Sequence, residues 1–82
     1  MDDQSEDLAL KQEKVEVLKR FGKKLAEIRK EKGFTQEKLA FDIGVDRTYI
    51  SYMERGKRNP SLFILWRLSR MLFTKLNELA DF

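Results

Sequence analysis

Apolar residues recur along most of this 82-residue chain in steps of three and four, the spacing that gathers side chains on one side of an α-helix. Val15, Leu18, Phe21 or Gly22, Leu25 and Ile28 form one such stripe, and Gly33 stands where a C-cap belongs, so the first helix is predicted to end near Lys32. Thr35 can cap a second helix that has Glu37 in its first turn, Leu39, Ala40 and Ile43 on its inner face and Gly44 as its stop. Asp46 can cap a third helix that runs to Arg55, with Gly56 behind it. After the Asn59–Pro60 turn, Ser61 can cap a fourth helix from about Leu62 to Leu72, and Thr74 a short fifth through Leu76 and Leu79. No stretch alternates in the manner of a strand, so the fold class is all-α, with Leu62, Leu65, Leu68, Leu72, Leu76 and Leu79 expected in the core. Met1 to about Asp7 reads as frayed. Whether residues 8–20 continue the first helix or form their own stays open, because Gly22 weakens a helix interior by about 1 kcal/mol relative to alanine.

A chain of this length builds one modest core, so a partner that covers further apolar surface would add stability. The net charge of +3 hides a division: residues 1–20 carry six acids against four bases, and the remaining 62 carry thirteen bases against eight acids. A basic body behind an acidic leader points to a polyanion as the partner of the body alone. The chain contains no cysteine and no histidine, which removes disulfides, thiolate metal sites, the commonest metal ligand and the usual general base. No paired-carboxylate or glycine-rich phosphate motif replaces them, so neither catalysis nor a metal, cofactor or small-molecule ligand is expected. The longest apolar run, Leu62 to Trp66, is too short to span a membrane, and the acidic first twenty residues are unlike a signal peptide, so a cytoplasmic location is expected.

Between Gln36 and Arg55 two short helices are joined through Gly44, Val45 and Asp46, a connection of the helix-turn-helix kind. The stretch TQEKLAFDIGVDRTYISYMERG resembles the helix-turn-helix of the lambda-repressor and Cro (XRE-like) family, with every patterned position filled: Leu39, small Ala40, Ile43, Gly44, Val45, Ile50 and Met53. Ala40 is small because the third helix must cross close to it, and Gly44 permits a positive φ at the turn. The resemblance covers roughly residues 18–80. It implies a five-helix lambda-repressor-like DNA-binding domain with an N-terminal helical extension, residues 1–17 forming a partly helical acidic extension and 18–82 the DNA-binding and dimerisation domain. It also implies that the third helix lies in the major groove of double-stranded DNA, with Arg47, Thr48, Ser51 and Tyr52 facing base edges. Gln36, Tyr49, Lys57, Arg58 and Asn59 are the implied backbone contacts, and Arg29 is expected to pair with Glu54 and orient the third helix.

Two places depart from the family's pattern. The fourth helix has Phe63 and Ile64 where polar residues are usual, and Phe73 stands before the last helix where glycine is usual. With Trp66 they make apolar surface beyond what the core needs, and Phe63, Trp66 and Phe73 are assigned to a homodimer interface, the alternative being that they pack under the stripe of Leu8, Leu10, Val15 and Leu18. Phe41 reads as a single tolerated outward residue. The resulting expectation is a transcriptional regulator that binds an inverted-repeat operator as a homodimer. With no second module in sight, it would be regulated by its own concentration, as in the controller proteins of restriction-modification systems. A phage-type repressor is the rival within the class. An antitoxin-like interaction module, using the acidic leader as its partner-binding arm, is the rival outside it, and a non-DNA adaptor is opposed by Arg47, Lys57 and Arg58.

Overall fold

In the computed structural model, which describes residues 4–82, the chain folds into five helices, with no strand among the described residues: α1 (Gln4–Glu31), α2 (Gln36–Ile43), α3 (Arg47–Glu54), α4 (Leu62–Met71) and α5 (Leu76–Leu79). α1 passes through residues 8–20 and Gly22 without a break, which resolves the open question in favour of one long helix. Gln4 to Asp7 belong to it and are not frayed, while the reading of residues 1–3 lies outside the described residues. At 1.5 Å per residue α1 spans about 42 Å, which accounts for the 44 Å long axis of the molecule. Burial along it begins at Leu18, so its N-terminal half projects beyond the body.

The core is the set that helical spacing picks out on α1 to α3 (Phe21, Leu25, Ile28, Leu39, Ala40, Ile43, Ile50 and Met53), joined by Leu68, Leu72 and Leu79. Leu65 packs at its edge. Leu62, expected inside, is exposed because it begins α4 on the side turned from the core, and Leu76 sits at the rim. Thr35 Oγ1 accepts from the Lys38 N–H at 3.0 Å and Ser61 Oγ from the Ile64 N–H at 3.2 Å, the two caps as expected. Two caps differ. Asp46 occupies the N-cap of α3, but its carboxylate accepts from the Thr48 hydroxyl at 2.8 Å and makes no cap bond. α5 starts one residue later than expected, with Lys75 as N-cap and the Glu78 carboxylate accepting the Lys75 N–H at 2.9 Å. That bond, followed by one with the Thr74 side chain, holds the Glu78 pKa below its ordinary value.

Gly22 turns out to be required by packing. A Cβ there would lie 2.4 Å from the Met53 carbonyl oxygen and 2.6 Å from that of Glu54, so the missing side chain lets the C-terminal turn of α3 rest on the backbone of α1. A bidentate ion pair locks the same contact: Arg29 Nε donates to Glu54 Oε2 at 2.6 Å and Nη2 to Oε1 at 3.1 Å, with both side chains buried. The remaining Arg29 nitrogen, Nη1, donates to the Phe34 carbonyl at 2.8 Å. On the opposite side Arg67 of α4 donates through Nε to the Ile43 carbonyl at 3.1 Å and through Nη2 to that of Asp42 at 3.0 Å, satisfying the open C-terminal end of α2.

Gly22→Ala tests the close approach. Helix propensity alone would raise stability by about 1 kcal/mol; the clash with two carbonyls should instead lower it by about 1–3 kcal/mol, the usual range for overpacking. A urea midpoint above that of the native chain refutes the contact. Arg29→Met should cost about 3–5 kcal/mol in the same measurement, because it leaves the Glu54 carboxylate buried without its cation.

Candidate nucleic-acid interface

The turn between α2 and α3 presents one face of α3 to solvent and seals the other. Gly44 takes φ +79°, and the Val45 N–H returns to the Ala40 carbonyl at 2.9 Å, so the chain reverses within three residues. Ile50 and Met53 enter the core, Val45 packs at its edge, and Ala40 is 2% exposed beneath the crossing. What remains outward on α3 is Arg47, Thr48, Ser51 and Tyr52, with Arg47, Thr48 and Tyr52 exposed and Ser51 half-buried. The four residues assigned to base edges therefore share one accessible surface.

They are not all equally free. Thr48 spends its hydroxyl on Asp46, and Tyr52 carries the Arg55 guanidinium 4.9 Å over its ring. Arg47 Nη1 donates to Gln36 Oε1 at 2.9 Å, and Gln36 Nε2 donates to Glu54 Oε1, also at 2.9 Å. A continuous chain thus runs from Arg29 on α1 through Glu54 and Gln36 to Arg47. It gives Gln36 a role that sequence reasoning missed: besides standing half-buried at the start of α2, its carboxamide couples the ion pair to the first residue of α3.

The residues assigned to the phosphate backbone divide in two. Lys57, Arg58 and Asn59 are exposed on the turn after α3, while Tyr49 is half-buried, packs against the core and carries the Arg58 guanidinium 4.9 Å over its ring. Tyr49 thus acts as the platform that holds Arg58. The Lys57 N–H closes onto the Tyr52 carbonyl at 2.8 Å, which fixes this basic turn directly to α3. Arg67 and Arg55 also went unnoticed in the sequence, where arginines scattered over helices carry no mark of what they bond. Among the described residues, no group of acidic side chains is close enough to hold a metal ion and no helix is long and apolar enough to cross a membrane.

Comparison with known proteins agrees with this geometry. A helix-turn-helix family profile matches residues 25–79. The control protein C.BamHI of Bacillus amyloliquefaciens is 46% identical over 63 residues, covering 76% of this chain and 78% of its own, and C.MunI of a Mycoplasma species is 51% identical over 61 residues, covering 73% and 82%. Among solved structures, the restriction-modification controller protein C.AhdI from Aeromonas hydrophila superposes with a TM-score of 0.73 at 45% identity, covering 76% of this chain and 94% of that one. The N-terminal DNA-binding domain of SinR from Bacillus subtilis superposes with a TM-score of 0.69 at 35% identity, covering 76% of this chain and 91% of that one. An all-helical body, a sealed turn with an outward polar α3, and these matches lead to one conclusion: the chain belongs to the XRE-like helix-turn-helix family and is a DNA-binding transcriptional regulator.

Proposed function

We propose that the chain is a homodimeric controller of the restriction-modification type, reading an inverted-repeat operator with α3 and acting as a cytoplasmic binder without catalysis or a small-molecule effector. The observation that carries the reading is the Arg29–Glu54–Gln36–Arg47 chain, which fixes a guanidinium at the N-terminal end of the outward face of α3. Arginine is suited to bidentate recognition of guanine O6 and N7, and Thr48 offers its methyl to a thymine. Lys57, Arg58 and Asn59 supply register on the phosphates, together with Gln36 at the start of α2, while Tyr49 serves through Arg58. The controller role rests on likeness to C.BamHI, C.MunI and C.AhdI.

The dimer is assigned to α4 and the turn behind it. Phe63 and Trp66 stack with ring centroids 6.1 Å apart, Arg67 and Arg70 lie over them, and the pair stays 61% and 46% exposed. They do not pack under α1. Phe73 is 82% exposed and takes φ +52°, a left-handed conformation that costs a non-glycine residue about 1–2 kcal/mol. A bulky aromatic kept at a strained, solvated position supports a use outside the monomer. Phe41, 80% exposed on α2, shows no such strain and has the Lys38 ammonium 5.9 Å over its ring.

Selection of bound sites from a random DNA pool, followed by footprinting, should return an inverted repeat with half-sites about 34 Å apart. Asymmetric single sites would refute the dimeric reading. Arg47→Ala should cost about 1–3 kcal/mol on the selected site and relax preference at one base pair per half-site. Lys57→Ala should weaken all sequences alike and reduce the salt slope by about one unit per subunit; equal loss on specific and random DNA for both variants would remove Arg47 as a base reader. For Phe73→Gly, relief of the left-handed strain outweighs the entropy of glycine by at most about 1 kcal/mol, so the dilute monomer should be slightly more stable while dimerisation weakens. A Phe73→Gly chain that dimerises as before excludes Phe73 from the interface.

A further inference from the structure

α1 meets the end of α3 and the turn behind it at two glycines. One is Gly22, against which the Met53 and Glu54 carbonyls are set; the other is Gly56, where a Cβ would come within 3.0 Å of the Lys19 Cα and nitrogen. Gly56 takes φ +74° and immediately precedes Lys57, so Lys19 stands beside the basic turn assigned to the phosphates. At 3.6 residues per turn, Lys19 and Lys23 lie about 60° and 100° round α1 from Gly22, while Phe21, Leu25 and Ile28 lie about 60–120° round the other way. The two lysines therefore occupy the flank of the α1–α3 contact that is turned from the core. α3 divides in the same manner: Ile50 and Met53 enter that core, and Arg47, Thr48, Tyr52 and Arg55 are exposed on its outward side. Both outward sides open on the same solvent, and Lys19 and Lys23 are exposed there. The ion pairs of the described residues are Arg29–Glu54 and Lys38–Asp42, so neither lysine is paired, although Glu16 and Glu27 lie one turn away and further round the helix. Like charges four residues apart repel on a helix, and an anion lying along them removes that penalty.

We propose that Lys19 and Lys23 are phosphate contacts, carrying the DNA interface from the turn after α3 onto α1 and outside residues 25–79, which the family profile matches. The inference rests on the reading of α3 as the helix that enters the major groove. That groove is about 12 Å wide and a helix with its side chains about 10–12 Å across, so whatever flanks α3 on its outward side meets the phosphates of the groove wall. Lysine suits such a place: a point charge on a flexible stem holds a phosphate and reads no base. Continuity with Lys57 and Arg58 at Gly56 selects the DNA backbone as the occupant over an acidic protein segment. Each half-site thereby gains an anchor on a second element, one that Gly22 and Gly56 hold rigidly against α3.

Duplex binding by the full chain at several salt concentrations tests this. Lys19→Ala and Lys23→Ala should each weaken specific and random DNA alike and lower the salt slope by about one unit per subunit. Lys14→Ala removes the same charge from another flank of the same helix and should leave the slope as it is. Ethylation interference then locates the contacts: each of the two variants should lose one phosphate per half-site from the native pattern, different from the one lost with Lys57→Ala. All three α1 lysines are exposed, so urea midpoints should stay near that of the native chain. Slopes for Lys19→Ala and Lys23→Ala equal to that for Lys14→Ala, or an unchanged interference pattern, overturn the α1 contact, while the expected losses with Arg47→Ala and Lys57→Ala keep the reading of α3 standing. If Arg47→Ala relaxes no preference either, that reading falls and the α1 contact falls with it.

Discussion

The C-terminal turn of α3 is set directly on the backbone of α1, and most of the functional surface inherits its position from that contact. Two features make it: the absent side chain at Gly22, which admits the Met53 and Glu54 carbonyls, and the buried Arg29–Glu54 pair, which fixes rotation and depth at once. A buried ion pair is weak evidence for stability, since an apolar pair of equal volume often serves as well. Its value here is directional. The same carboxylate that takes two bonds from Arg29 takes a third from Gln36, so a structural contact deep in the fold ends at the guanidinium of Arg47.

α4 performs a related task from the other side. Arg67 closes the C-terminal carbonyls of α2 and so holds the helix that α3 crosses. Its neighbours Phe63 and Trp66 point away, and Arg67 and Arg70 lie over their rings. One short helix therefore joins the motif to the body with one face and offers an aromatic surface with the other.

The sequence made the motif and its helices legible because these depend on local rules. Apolar spacing gave Leu39, Ala40, Ile43, Ile50 and Met53, and cap chemistry gave Thr35, Ser61 and Gly44. The Arg29–Glu54 pair was legible only through family resemblance, since residues 25 positions apart share no local signal. Gly22 was misleading on its own: propensity marks it as a weakness in a helix, and only the approach of α3 shows why a side chain is excluded. Asp46 and Thr74 failed as caps for a different reason, because each has a nearer competitor, the Thr48 hydroxyl in one case and the Glu78 carboxylate in the other. Leu62 misled because its apolar character suits an outward face as well as a core.

The carboxamide of Gln36 is held at both ends, its nitrogen by Glu54 and its oxygen toward Arg47, so it cannot turn over without breaking two bonds. Position 47 therefore always meets an acceptor. Under the proposed reading of the operator, a donor at position 47 finds a ready partner in that oxygen, whereas a carboxylate reaching the same place would be opposed by it. Gln36 and Glu54 thereby constrain from inside the fold what residue 47 can become, ahead of any selection by the DNA.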